Sequence, residues 1–201
     1  MSMAPGRPGA AAFKEVVMSS THRDSIQSRH DAGKASMRLK AMTLDLGIIA
    51  GWAGFSAVAG LVSRWVGLDL DTAPAADGFA FATLVAPVVA TFARQEASSE
   101  AATLGKRRCG LAVVDKTGHG LTLGRSMARS VAKFLPWQLA HTAVFGLVAD
   151  PNDTRFMALS VAAQVMVLGS VLIMAVDARH RALHDLIAGT LVVDRRAPGT
   201  R

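Results

Sequence analysis

Cysteine is nearly absent from this 201-residue chain, and tyrosine is missing altogether. The single Cys109 excludes an intramolecular disulfide. Charge is scarce as well: 18% of residues are charged, against about 25% in a soluble domain. Gly105-Lys106 lacks the spacing of a phosphate loop, and no Ser/His/Asp arrangement, paired catalytic carboxylates or nucleotide fingerprint occurs, so an enzyme is not expected and no cofactor is implied. The basic residues are not interleaved with aromatics, which removes the usual support for nucleic-acid binding. The first 34 residues are small and polar, with no apolar run long enough for a signal-peptide core. Residues 1–35 therefore read as a disordered cytoplasmic tail and 196–201 as a second, short one. Met18 and Met37 leave the true start open.

What the chain has is apolar residues in clusters: 51% are hydrophobic, mean hydropathy is +0.32, and the runs are too continuous for a soluble core. Four runs read as membrane-spanning helices. The first, about residues 43–66, is interrupted only by Asp45 and Arg64 and would reach ~36 Å at 1.5 Å per residue. Its small residues recur four apart, as in Gly47/Gly51, Ala50/Gly54 and Ser56/Gly60, a pattern that lets helix backbones approach closely. The second, about 79–93 with an extension back to Ala73 as its longer reading, is short and carries Pro87, so a kinked or partly shielded helix is expected, with a re-entrant segment as the alternative. The third, about 131–149, holds Lys133, Pro136, Gln138 and His141; the fourth, about 156–176, is the cleanest, with Gln164 and two serines as its polar interruptions.

Orientation follows from the cations. Of 22 Lys and Arg, seven precede Thr43, eight fall in 94–133 and five follow Val176. The connections 67–78 and 150–155 hold one Arg between them. The positive-inside rule makes the rich side cytoplasmic, so both termini are inside and the number of crossings is even. That is the reason to count the weak second run as a span. The net charge of +7 is then explained by topology and by attraction to anionic head groups, at ~1 kcal/mol per cation near the surface.

The inner loop has structure of its own. Cys109 to Asp115 reads as a strand, Lys116-Thr-Gly-His-Gly120 as a turn, Leu121–Leu123 as a return strand, and Gly124–Arg129 as a helix start capped by Thr122. Gly189–Asp194 is another strand-like run. The expected fold is an all-α, four-helix polytopic membrane bundle with a small cytoplasmic β-hairpin or sheet.

Several motifs in order carry a resemblance. Arg38-x-x-Ala41-x-x-Leu44-Asp45 opens the first span; Thr103-Leu-Gly-Lys-Arg107 leads into Gly110-Leu-Ala-Val-Val-Asp115, Gly118 and Arg129; and His184-Asp-Leu-Ile-Ala-Gly-Thr-Leu-Val-Val193 closes the chain. Over residues 36–195 this resembles the RDD family of integral membrane proteins, named for one arginine and two aspartates. The resemblance maps the arginine to Arg38 and the aspartates to Asp45 and Asp185. It implies a multi-pass protein of the bacterial inner membrane whose expected role is transport of a small ion or solute, or cation/proton exchange. The alternative is a membrane scaffold or accessory protein that binds a partner through the basic cytoplasmic loop.

Asp45 is the sharpest residue. A carboxylate about one turn inside an apolar span costs several kcal/mol unless protonated, paired or hydrated. It reads either as a coupling carboxylate or as a pairing group for another helix. Arg38, two turns away on the same face, is either its poising cation or a head-group anchor. Asp185 accepting from Arg38 would join the three residues into one inner-surface cluster. Gln138 and His141 share a face and read as a proton relay or as an interhelical hydrogen bond to Gln164 or Ser160. His180, His184 and Asp177 have helical spacing for a metal, but no further ligand completes a shell, so an Asp177–Arg181 pair is preferred and no metal is expected. Four spans are few to enclose a pathway, so a homo-oligomer or membrane partner is expected against the glycine-rich face of the first span.

Overall fold

A computed structural model describes the backbone of residues 10–195 and the side chains of residues 36–195. Residues 1–9, the start of the first expected tail, and 196–201, the whole of the second, lie outside the described residues. The chain divides into two compact units, Met1–Met37 and Arg38–Arg201. In the first unit the described backbone is helical from Ala10, where the polar composition suggests a tail without structure; the residues from Ala10 to Asp31 contain no glycine or proline to break a helix. The remaining description concerns the second unit.

Helix α1 (Ala10–Trp65) carries the first expected span. After it come α2 (Ala73–Ala80), a π-helical turn (Phe81–Val85) and α3 (Ala86–Glu96), which run on as one rod. The expected disturbance at Pro87 takes this form. Proline cannot donate to the helical ladder, and the wider turn just before it, closed by Ala86 N–H on the Phe81 carbonyl, brings the chain to a point where proline stands in the first turn of α3. A short α4 (Leu104–Arg108) and β1 (Leu111–Asp115) precede α5 (Leu123–Ala149), capped by Thr122 as expected. Helix α6 (Thr154–Val176), α7 (Leu183–Ala188) and β2 (Thr190–Asp194) complete the chain.

Strands β1 and β2 pair antiparallel, from Leu111 opposite Asp194 to Asp115 opposite Thr190. The expected return strand at 121–123 is replaced by an isolated bridge between Val114 and Gly120. Its residues are used otherwise: Thr122 caps α5 and Leu123 begins it. The sheet is therefore made by two segments distant in the chain rather than by a local hairpin.

Among the described residues, three helical segments are long and apolar enough to cross a membrane: Ser36–Trp65, Ala73–Glu96 and Thr154–Val176. Helix α5 is not one of them. It begins eight residues before the expected span, and Arg125, Arg129, Lys133, Gln138 and His141 make it polar along its first two thirds. It is also the helix around which α2, α3, α6 and α7 pack. The buried core is small: Leu84, Val88, Phe92 and Phe134, with Ile48, Ile49, Trp52, Val89 and Trp137 against it. By contrast, Val161, Val165, Leu168 and Leu172 of α6 are each more than half exposed. Each such side chain forfeits about 1.5–3 kcal/mol in water, which a hydrocarbon solvent removes.

Candidate functional site

The charged end of the bundle is built around Arg129, on the second turn of α5 and 2% exposed. Its Nη1 donates to both Glu96 oxygens, at 2.7 and 2.6 Å. Its Nη2 and Nε donate to Asp185 Oδ1 at 2.7 and 3.1 Å, and Nε also reaches Thr190 Oγ1 at 3.2 Å. One planar fork thus joins the end of α3, the start of α7 and the start of β2, a geometry that arginine provides and lysine does not. Lys106 of α4 adds a second cation on Glu96. Ser126, one turn before Arg129, donates to the Ala93 carbonyl at 2.8 Å and fixes α5 against α3.

Asp185 also accepts from the Ala182 amide at 3.1 Å and from the Thr190 hydroxyl at 3.1 Å. Burial alone raises its carboxyl. The Arg129 charge, His184 and the hydrogen bonds outweigh that and hold it at about 2. Burial beside Arg129 pushes the His184 imidazole down to about 3. Burial likewise lowers the Lys106 ammonium, against the opposing pull of Glu96.

Asp45 anchors a separate junction. It is 3% exposed; Thr103 Oγ1 donates to its Oδ2 at 2.6 Å, and the Gly105 amide donates to its Oδ1 at 2.8 Å. The carboxylate therefore holds the first turn of α4, whose Leu104 amide is taken by Gln95 Oε1 at 2.9 Å. Only glycine fits at 105: a Cβ there would lie 2.1 Å from the Ala41 carbonyl oxygen and 2.8 Å from Asp45 Oδ1.

Arg38 donates to two carbonyls, His180 O and, at 3.0 Å, Val192 O. It ties α1 to the segment after α6 and to β2. The three motif residues thus lie on one set of junctions without sharing a hydrogen bond: Asp185 takes its cation from Arg129, and Asp45 takes neutral donors from the α4 turn. Sequence reading passed over Glu96, and it gave Thr103 and Lys106 a place in the motif string without a role. Arg129 stood in the motif string, and a cation one turn before an apolar run, with no acid near it in sequence, was the available signal.

Gln138 does not reach α6. Its Nε2 donates to Asp77 Oδ1 at 3.0 Å and to Thr142 Oγ1 at 3.2 Å. Gln164 is exposed and bonds Ser160 within its own helix. His141 lies beside Trp137, with ring centres 5.2 Å apart and the ring planes tilted by 50°. The Asp177–Arg181 pair forms at 2.7 Å. Helix α6 ends at Val176 and His180 has φ 50°, so His180 and His184 do not share a helical face.

Residues 32–189 match the model of the RDD family. The chain belongs to the RDD family. Neither the curated proteins nor the solved structures hold a match. Family membership and the three long apolar helices together make this RDD protein a membrane protein.

Proposed function

We propose that this RDD protein is a multi-pass, non-enzymatic protein of the bacterial inner membrane that holds a basic cytoplasmic platform at the bilayer for a partner. In this reading α5 is a fourth span, shielded by α2, α3 and α6, and both termini are cytoplasmic. The cation distribution supports the orientation. One observation carries the scaffold reading. Asp45, Glu96 and Asp185 are each buried and each held by fixed protein donors. They spend their charge on docking α4, the sheet and α7 to the helices, while Arg107 and Arg108 of α4, Lys116 just after β1 and Arg125 at the start of α5 stay exposed at the same end. A Cβ added at Gly47, Gly51 or Gly54 would meet nothing within 4 Å, which supports this face of α1 as the contact with a second copy or a membrane partner.

The test is photocrosslinking in membranes from Arg108, with Trp65 at the opposite end of α1 as control. A discrete adduct from 108 that disappears on charge reversal of Arg107 and Arg125 is expected. Absence of that adduct, together with cation- or pH-driven flux in proteoliposomes that Asp45→Asn abolishes, would overturn the reading.

A second reading, transport of a small ion or solute, is favoured by a different observation: an acidic residue beside a cavity at the other end of α5.

A further inference from the structure

Thirteen residues beyond Arg129 along α5, ~20 Å at 1.5 Å each, the bundle contains another carboxylate. Asp77 lies inside the apolar Ala73–Glu96 segment, on the α2 face that packs against α5. Among the described residues only neutral donors reach it: Gln138 Nε2 at 3.0 Å on Oδ1 and Thr142 Oγ1 at 2.7 Å on Oδ2. A carboxylate in an apolar segment is costly unless it is paired or hydrated. Beside it is a cavity of about 160 Å³, lined by Ala73, Pro74, Asp77, Thr142, Gly146 and Phe156. The Phe156 ring lies directly on Gly146, where a Cβ would fall 2.3 Å from Cγ, so the bare glycine backbone is what lets the ring form this wall.

We propose that this cavity binds a small organic ammonium ion, with Asp77 as its counter-ion and Phe156 as its aromatic wall. The lining decides the class. A dehydrated metal cation needs several oxygen ligands, and the cavity offers the Asp77 carboxylate and the Thr142 hydroxyl. Its remaining walls are aliphatic or aromatic. They suit the alkyl part of an amine, and a ring within reach of the charge adds a cation–π attraction. Large apolar walls with a few placed polar groups are the usual build of a small-molecule site. Gln138 and Thr142 hold the carboxylate by one donor on each oxygen, which leaves lone pairs free for an ammonium N–H.

The experiment uses the full chain purified in detergent, melted in rising ethylammonium chloride, with sodium chloride at matched ionic strength as reference. The expected result is a saturable rise in Tm with ethylammonium beyond that with sodium. Asp77→Asn abolishes it, Phe156→Leu weakens the apparent Kd roughly three- to tenfold, and Asp150→Asn, in the exposed turn between α5 and α6, leaves it unchanged. If Asp77→Asn does not fold, Phe156→Leu and Thr142→Val carry the comparison. Equal shifts with both salts, a shift that survives in Asp77→Asn, or an apparent Kd left unchanged in both other variants, would overturn the proposal.

Discussion

Replacing Arg129 by methionine removes the fork and keeps most of the side-chain volume. Glu96 and Asp185 are 0% and 2% exposed, so neither carboxylate recovers its lost partner from water. Glu96 keeps Lys106, and Asp185 keeps the Ala182 amide and the Thr190 hydroxyl. Breaking a buried ion pair from one side costs about 3–5 kcal/mol, because a buried charge is left uncompensated. For a chain of 150–250 residues each kcal/mol moves Tm by about 2–4 °C, so Arg129→Met should lower it by roughly 6–20 °C. The assay is the temperature at which half the detergent-solubilised protein still elutes as a single peak on size exclusion. The double variant Arg129→Met, Asp185→Asn removes the carboxylate left without a cation, while Glu96 keeps Lys106, and should recover at least half of the loss, since neutral replacement of a buried pair is far cheaper than breaking it. Arg129→Lys should fall between, because one ammonium reaches one carboxylate only. A single-variant loss below about 2 °C, or a double variant no better than the single, would refute the argument that Arg129 compensates buried charge.

Gly105→Ala should destabilise by about 3 kcal/mol, the upper range for overpacking, because the new methyl meets the rigid Ala41 carbonyl rather than a movable side chain; limited proteolysis should then cut within residues 97–110 first. Arg38→Lys should cost about 1–3 kcal/mol, because one ammonium does not serve both the His180 and Val192 carbonyls as the fork does, and hydrogen exchange should rise in β2. His184 and Asp185 both have folded-state values below their ordinary ones. Their contribution to stability is therefore complete above about pH 6.5 and is lost as the pH falls toward 3 for His184, then from about 4 toward 2 for Asp185. A melting series in His184→Gln should lose the slope between pH 6.5 and 4 and keep the steeper fall below it.

Much of this was legible in residue order. The apolar runs, the Thr122 cap and the strand-like Leu111–Asp115 and Thr190–Asp194 segments follow from local pattern, so they read directly. The pairing of β1 with β2 did not, because nothing local marks two strands about eighty residues apart as neighbours while a turn at 116–120 offers a nearer partner. Asp45 announced itself because a carboxylate in hydrocarbon is anomalous. Glu96 and Asp77 did not, since each stands at the edge of its apolar run, where a charge looks like the start of a loop. The helical rod takes the longer reading back to Ala73 and runs on to Glu96, past the apolar pattern, and those extra turns bring Asp77 and Glu96 into the bundle. Arg129 was hidden for the same reason: it stands before α5 turns apolar in sequence, yet it is already buried.

Asp45 and Asp77 resemble each other in one respect: the donors on each are neutral. They differ in the space beside them. At Asp45 the Gly105 position is so close that a single added carbon would lie 2.8 Å from Oδ1, and the Thr103 hydroxyl and Gly105 amide close both oxygens from α4. Any ligand arriving there must first displace α4, and with it the turn that carries Lys106 to Glu96. At Asp77 the cavity is already open beside the carboxylate. Exchange of a bound group at Asp45 therefore costs the undocking of α4 from the helices, whereas at Asp77 it costs the displacement of whatever fills 160 Å³. The motif aspartate is built to hold the fold together, and the residue outside the motif is the one placed to bind and release.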